Sequence, residues 1–189
     1  METAVPAIEM VAREGKVSEI SDFDAVVRIH WPRVYRFVLA SLRDHDVAQS
    51  IAQDCFWKAY RARQRFRGES SLQTWLMQIA VNLVRDHTRN RRLQFWRQAP
   101  RIPADGVRNW IADGEIDPER RLLVREQVNA MWTAAANLPE KQRTVFLLRY
   151  VEEMELLEIA EVAGLSEGAV KVHLYRGLRT VRKVVGRLR

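Results

Sequence analysis

The sequence predicts an all-α fold: two small helical domains joined by a flexible linker, the C-terminal one a helix-turn-helix. Three observations carry this expectation. Apolar residues recur at helical spacing over most of the 189 residues, and no segment alternates as a strand would. A stretch rich in Pro, Gly and acids, residues 98–118, interrupts that pattern and reads as a linker. From Leu156 to Arg182 the chain spells a short helix, a sharp turn and a longer helix.

Taken in order, residues 1–17 show no useful period and read as a mobile tail. The first domain spans 18–97. Ser21 with Asp24 offers a cap for a helix through Val26, Val27, Trp31, Val34, Val38 and Leu42, and Pro32 predicts a kink or break near Ile29 to Trp31. Asp46 is read as the cap of a second helix, with Ala48, Ile51, Ala52, Cys55, Phe56, Ala59 and Tyr60 inward and Gln49, Gln53, Asp54 and Lys58 outward. Ser70 with Gln73 looks like a capping box for a third helix. There Leu72, Trp75, Leu76, Ile79, Ala80 and Leu83 point inward. Gln78, Asn82, Arg85, Arg89 and Arg92 step by three and four into one polar stripe. Arginines so spaced can track phosphates, and amides can read base edges, although an ordinary solvated face has the same pattern.

The linker holds Trp110 and Ile111 as its apolar point, and residues 119–189 form the second domain. Helical pattern returns from Glu119 to Asn137, and Pro139 opens a further helix through Val145, Leu148 and Val151. In the helix-turn-helix, small Ala160 permits close approach, Gly164 supplies the positive φ of the turn, Leu165 is the plug and Ser166 the next cap. Val170, Leu174, Gly177, Leu178, Val181 and Val185 make the buried stripe of the last helix. Lys171, Val172, Tyr175, Arg176, Arg179, Arg182 and Lys183 occupy the other side, the cationic face that major-groove insertion needs. A solvated basic helix is the plainer alternative.

The totals agree with a polyanionic partner. Net charge is +7 and 47% of residues are hydrophobic, which supports a packed core. No apolar run approaches the ~20 residues of a membrane span, and the N-terminus lacks the pattern of a secretion signal, so membrane insertion is not expected and a cytoplasmic location is. Cys55 is the lone cysteine and reads as a core residue. His30, His45, His87 and His173 stand in no metal spacing, and no phosphate loop, nucleophile elbow or paired-carboxylate site is recognisable. No metal, no cofactor and no catalysis by this chain alone are expected.

Over roughly residues 20–185 the motifs resemble a bacterial RNA polymerase sigma factor of the extracytoplasmic-function (ECF) type. Gln53-Asp54-Cys55-Phe56 is similar to the family's Gln-Glu-x-Phe segment, and Phe66 to Leu76 to its loop followed by Thr-Trp-Leu. Ile79-Ala80-Val81-Asn82 with Asp86 and Arg91-Arg92 completes the first half. Leu138 to Arg143, Glu158-Ile159-Ala160 and Glu167 to Lys171 match the second.

The resemblance implies a sigma region 2-like domain at 18–97 and a region 4-like domain at 119–189. It implies core polymerase docking through Gln49, Gln53, Asp54, Phe56 and Trp57, with the clamp helices of the largest subunit and the flap of the second-largest as partners. The loop Arg67, Gly68, Glu69, Ser70 and Ser71, with Gln78, Asn82, Arg85, Arg89 and Arg92, would hold a flipped base of the promoter's minus-ten element. Lys171, Val172, Tyr175, Arg176 and Arg179 would read the minus-thirty-five element. The acidic linker would thread the core's RNA channel, and an anti-sigma factor would control the whole, with Met154 and Leu157 as its candidate contact. Four departures stand out: Gln49 and Ser50 where acids are usual, Glu155 in place of a Ser or Thr cap, Leu157 for a polar residue, and Val172 near the groove. A stand-alone helix-turn-helix regulator is the alternative from the same face, and a pure protein-interaction module a third.

Overall fold

The computed structural model describes residues 22–95 and 128–186, with side chains at 22–90 and 128–186. The expected tail 1–17, the linker 98–118 with Trp110 and Ile111, and the side chains of Arg91 and Arg92 lie outside the described residues. The described elements are α1 (Phe23–Leu42), α2 (His45–Ala62), a 3-10 turn (Arg63–Arg65), α3 (Leu72–Phe95), a helix α4 described over 128–136, α5 (Glu140–Tyr150), α6 (Leu156–Ala163) and α7 (Glu167–Val185).

Helices α1, α2 and α3 start where a side chain satisfies the first orphan amides, whereas α5 opens behind Pro139 with no side-chain cap. Asp22 accepts from the amide of Ala25, Asp44 from that of Val47, and Ser71 from that of Thr74. The caps thus fall beside the expected Ser21, Asp46 and Ser70: where several Ser and Asp cluster, the residue just outside the first turn wins. Asp46 instead sits within the first turn of α2, favourable to the helix dipole. Helix α1 is continuous through Pro32, without the expected break. An exposed proline there forfeits its own backbone donor, and the buried Val34, Phe37 and Val38 hold the turns beyond it.

In α2, the inward stripe is as read except for its last member. Ala48, Ile51, Ala52, Cys55, Phe56 and Ala59 are buried, whereas Tyr60 is exposed, with its ring edge-on to Phe23 and the Arg63 guanidinium 3.8 Å from its centroid. Cys55 donates weakly to the carbonyl of Leu76 at 3.5 Å, fixing α2 on α3. Burial pushes its thiol up to about 12.

A single cluster of buried apolar side chains runs from Val26 in α1 to Val181 in α7. The two helical halves are therefore packed together. Helix α3 lies against α6, and α1 against α5. Polar groups stitch the contact: Arg36 Nε and Nη2 donate to the two carboxylate oxygens of Glu152 at 3.0 and 3.1 Å, and the Thr74 hydroxyl donates to Glu158 at 3.3 Å. The Glu152 side chain is wholly buried. Burial raises its carboxyl above the ordinary value of 4.5, and the nearby Arg36 and Arg33 only partly offset that.

Two outcomes follow. Cys55 will resist alkylation at pH 8 in the native chain and react only after denaturation; rapid native labelling would contradict its burial. A carboxyl whose folded value is raised binds its proton more tightly when folded. The resulting stability is full below pH 4.5 and is lost as pH rises through the raised folded value. Glu152→Gln will remove this loss, measured by urea unfolding at a series of pH values; parallel profiles for the two chains would contradict it.

Candidate nucleic-acid interface

The turn between α6 and α7 fixes the first surface. Gly164, at φ +63°, ends α6 with its amide donating to the carbonyls of Ala160 and Glu161. The Leu165 amide then returns to Ala160 at 2.9 Å, closing the helix end. Ser166 caps α7 by accepting from Ala169. At the start of α6, where Glu155 replaces the Ser or Thr usual in the family, Glu155 and Glu158 form a reciprocal capping box, Glu158 accepting from the amide of Glu155 at 2.9 Å.

Helix α7 is seated by Val170, Gly177 and Val181, all buried. A Cβ on Gly177 would meet Leu138 Cδ1 at 3.4 Å and the carbonyl of Gln142 at 3.7 Å, so glycine lets α7 pack closely on the start of α5. This seating turns the predicted set outward, together with Thr180 and Val184. Lys171, Val172, Tyr175, Arg176, Arg179, Arg182 and Lys183 are all exposed, Tyr175 to 69%. Glu167 is the only acid of α7, paired with Lys171 at 2.5 Å. Four cations and an aromatic ring remain on a rigid helix beside a turn, with no opposing acid on that helix.

The second surface is the loop into α3 and the helix's polar stripe. Phe66 is buried against the Trp75 ring, centroids 5.1 Å apart, which pins the loop's start. Gly68 is buried at φ +67°, and Arg67 and Glu69 project to solvent 4.0 Å from each other. Ser71 bonds both the amide and hydroxyl of Thr74, and Ser70 is half-buried. Along α3, Asn82, Arg85 and Arg89 are exposed and Gln78 is half-buried. Arg85 donates to the Asn82 carbonyl oxygen, holding that amide in one orientation. Leu76, Met77, Ala80, Val81 and Val84 anchor the opposite side.

The outer face of α2 is the third surface. Gln49, Gln53 and Asp54 are exposed and Trp57 is 60% exposed, stacked on Tyr60. Phe56 corrects the sequence reading: it is buried at 5% and stacked on Trp31 at 5.6 Å, so it supports this face from beneath rather than forming it. Met154 is a second correction. It is 2% exposed, drawn into the core of the second half, and only Leu157, 70% exposed, remains at that spot. Sequence reasoning missed Arg36–Glu152 and Thr74–Glu158 altogether, because partners 116 and 84 residues apart leave no periodic trace. Among the described residues no group of His, Cys, Asp and Glu could hold a metal ion, and no helix is long and apolar enough to cross a membrane.

Comparison with known proteins agrees with this geometry. The family model described as Sigma-70 region 2 matches residues 26–94, and Sigma-70, region 4 matches residues 129–181. The chain is 31% identical over 180 residues to the ECF RNA polymerase sigma factor SigW of Bacillus subtilis, covering 92% of this chain and 96% of that protein. It is 29% identical over 184 residues to the RNA polymerase sigma-H factor of Pseudomonas aeruginosa, covering 94% and 91%. In fold it is similar to the sigma factor RpoE solved in complex with the anti-sigma factor NepR from Bartonella quintana, with TM-score 0.71, 19% identity, and coverage of 87% of this chain and 97% of that one. CnrH in complex with the cytosolic domain of CnrY gives TM-score 0.65 at 19% identity, covering 93% and 97%.

The turn geometry sets an expected outcome. Gly164→Ala places a Cβ in the left-handed region and will lower stability by about 1 kcal/mol in urea unfolding. An unchanged midpoint would contradict the role given to that residue.

Proposed function

The chain belongs to the ECF group of sigma-70 RNA polymerase sigma factors, and from that premise we propose how its surfaces divide the work of promoter recognition. The exposed face of α7 reads the minus-thirty-five element in the major groove. Lys171, Val172 and Tyr175 lie in its N-terminal turns, where a recognition helix meets base edges. Arg176 follows Tyr175 directly and Arg179 lies about one turn on, with Arg176 suited to guanine or phosphate and Arg179 to phosphate. The single observation that carries this reading is the division of α7, with Val170, Gly177 and Val181 buried and its cations left in solvent.

The loop Arg67 to Ser71 and the stripe Gln78, Asn82, Arg85 and Arg89 take the minus-ten element, with Arg92 continuing the stripe. A base extruded from the stack loses its neighbours and needs edge hydrogen bonds and a surface to rest on. Asn82, oriented by Arg85, supplies an amide of defined direction, and the arginines supply phosphate contacts. Gln49, Gln53, Asp54 and Trp57 dock the chain on core polymerase at the clamp helices of its largest subunit, and the second half meets the flap of the second-largest. Trp57 gives that patch the aromatic anchor that stable interfaces favour. The chain thus steers an enzyme rather than acting as one, in the cytoplasm where polymerase works. An anti-sigma factor controls it, as the similar sigma factor RpoE was solved bound to the anti-sigma factor NepR, and Leu157 remains a candidate contact for it. Residues 18–97, 98–118 and 119–189 are the corresponding functional divisions.

Reconstituted transcription tests this. Core polymerase with the chain will start at a defined site on its promoter. Arg176→Ala will lower promoter affinity of the holoenzyme roughly 5- to 150-fold, the effect of about 1–3 kcal/mol for a lost base contact, and Trp57→Ala will weaken core binding. Tight, specific duplex binding without core polymerase would overturn the assignment.

A further inference from the structure

Two positions on the outer face of α7 hold residues that the fold does not ask for. Val172 is 47% exposed, two residues on from the buried Val170 and so about 160° round the helix from it. It takes no part in the apolar cluster that joins the helices. A β-branched residue is also a weaker helix former than Lys, Arg or Gln. Gly168 stands about one turn earlier on the same row, exposed, and a Cβ built there would meet nothing within 4 Å. Unlike Gly164 it does not adopt a positive φ, and unlike Gly177 it faces no neighbour. Glycine within a helix is destabilising relative to alanine. The chain's own packing explains neither residue.

The surroundings say what kind of partner would use them. Arg176 lies about one turn beyond Val172 and Arg179 about two, both exposed. Lys171 is drawn along the flank of the helix to Glu167, 2.5 Å away, and leaves the Val172 methyls open. The cations call for a polyanion, and the valine for an apolar group displayed within it. The major groove of a DNA duplex offers one such group, the C5-methyl of thymine. We propose that Val172 reads a thymine methyl in the minus-thirty-five element, with Gly168 left bare so that α7 can sit deep enough in the groove for the contact. This rests on the reading of α7 given above. Valine has neither donor nor acceptor, so a cytosine at that place would exchange the methyl contact for an N4 amino group stripped of water and unpaired. The arginines hold the helix on the duplex, and Val172 adds a preference for one base.

Deoxyuridine tests this, because it pairs as thymidine does and keeps the O4 acceptor but lacks the methyl. Each thymine on both strands of the minus-thirty-five element is replaced singly, and the affinity of the holoenzyme for the duplex promoter is measured. One replacement will lower affinity about fourfold, the effect of one buried methyl or methylene group. Val172→Ala will bind the thymine duplex several-fold more weakly and will no longer distinguish thymine from uracil at that position. Its affinity will fall with salt at the parent's slope, because no phosphate contact is lost. Gly168→Ala will be at least as stable as the parent in urea, yet bind the promoter several-fold more weakly. A scan with no methyl-dependent position overturns the proposal, as does a uracil penalty that persists in Val172→Ala. A Gly168→Ala chain with the parent's affinity overturns the part given to Gly168. If the chain binds a specific duplex without core polymerase, the sigma reading falls instead, and the same scan on the free chain still decides the methyl contact.

Discussion

A carboxylate without water must find a cation or give up its charge, and that constraint at Glu152 organises how the two halves of this molecule meet. The chain turns sharply after α5, and the turn sends Glu152 into the contact with α1, where Arg36 waits with two donors. Removing one partner from a buried pair costs about 3–5 kcal/mol in general, because the other is left dry and uncompensated. Arg36 keeps a third of its side chain in solvent, so the loss falls mainly on Glu152. Around this point the apolar surfaces of α3 and α6 close on each other, and the core becomes one cluster instead of two.

Much of the division of labour within the helices was legible from spacing, although Met77, Val81 and Val84 of α3 are buried beyond the expected stripe and Tyr60 of α2 stays out of it. Val170, Gly177 and Val181 in α7, and Leu76, Ala80 and Leu72 in α3, face inward because the 3.6-residue repeat allows no other placement. Gly164 and Ser166 were legible as turn and cap, since few residue types can serve there. The caps of α1, α2 and α3 shifted by a residue or two. Ser21, Asp22 and Asp24 compete at one end, and chemistry does not choose among neighbours that are equally able to accept a hydrogen bond. Phe56 and Met154 show the opposite limit. A functional motif or an odd apolar residue invites an outward reading, and packing claimed both side chains.

What no local pattern could give was the contact between the halves. Arg36 resembles any other cation on an amphipathic helix until Glu152 arrives from 116 residues away. The polar residues of a surface are selected by partners, and a partner that is another part of the same chain leaves the same signature as solvent. Thr74 carries a similar lesson, because its place in a sequence signature points to promoter DNA while its hydroxyl is occupied by Glu158.

If the two halves hold each other through Arg36 and Glu152, the pair is energetically coupled, and a double-mutant cycle measures that coupling directly. Unfolding free energies of the parent, Arg36→Ala, Glu152→Ala and the double variant will give a coupling of about 1 kcal/mol or more, within the range for residues sharing one buried network. A coupling indistinguishable from zero would mean that the halves do not hold each other through this pair.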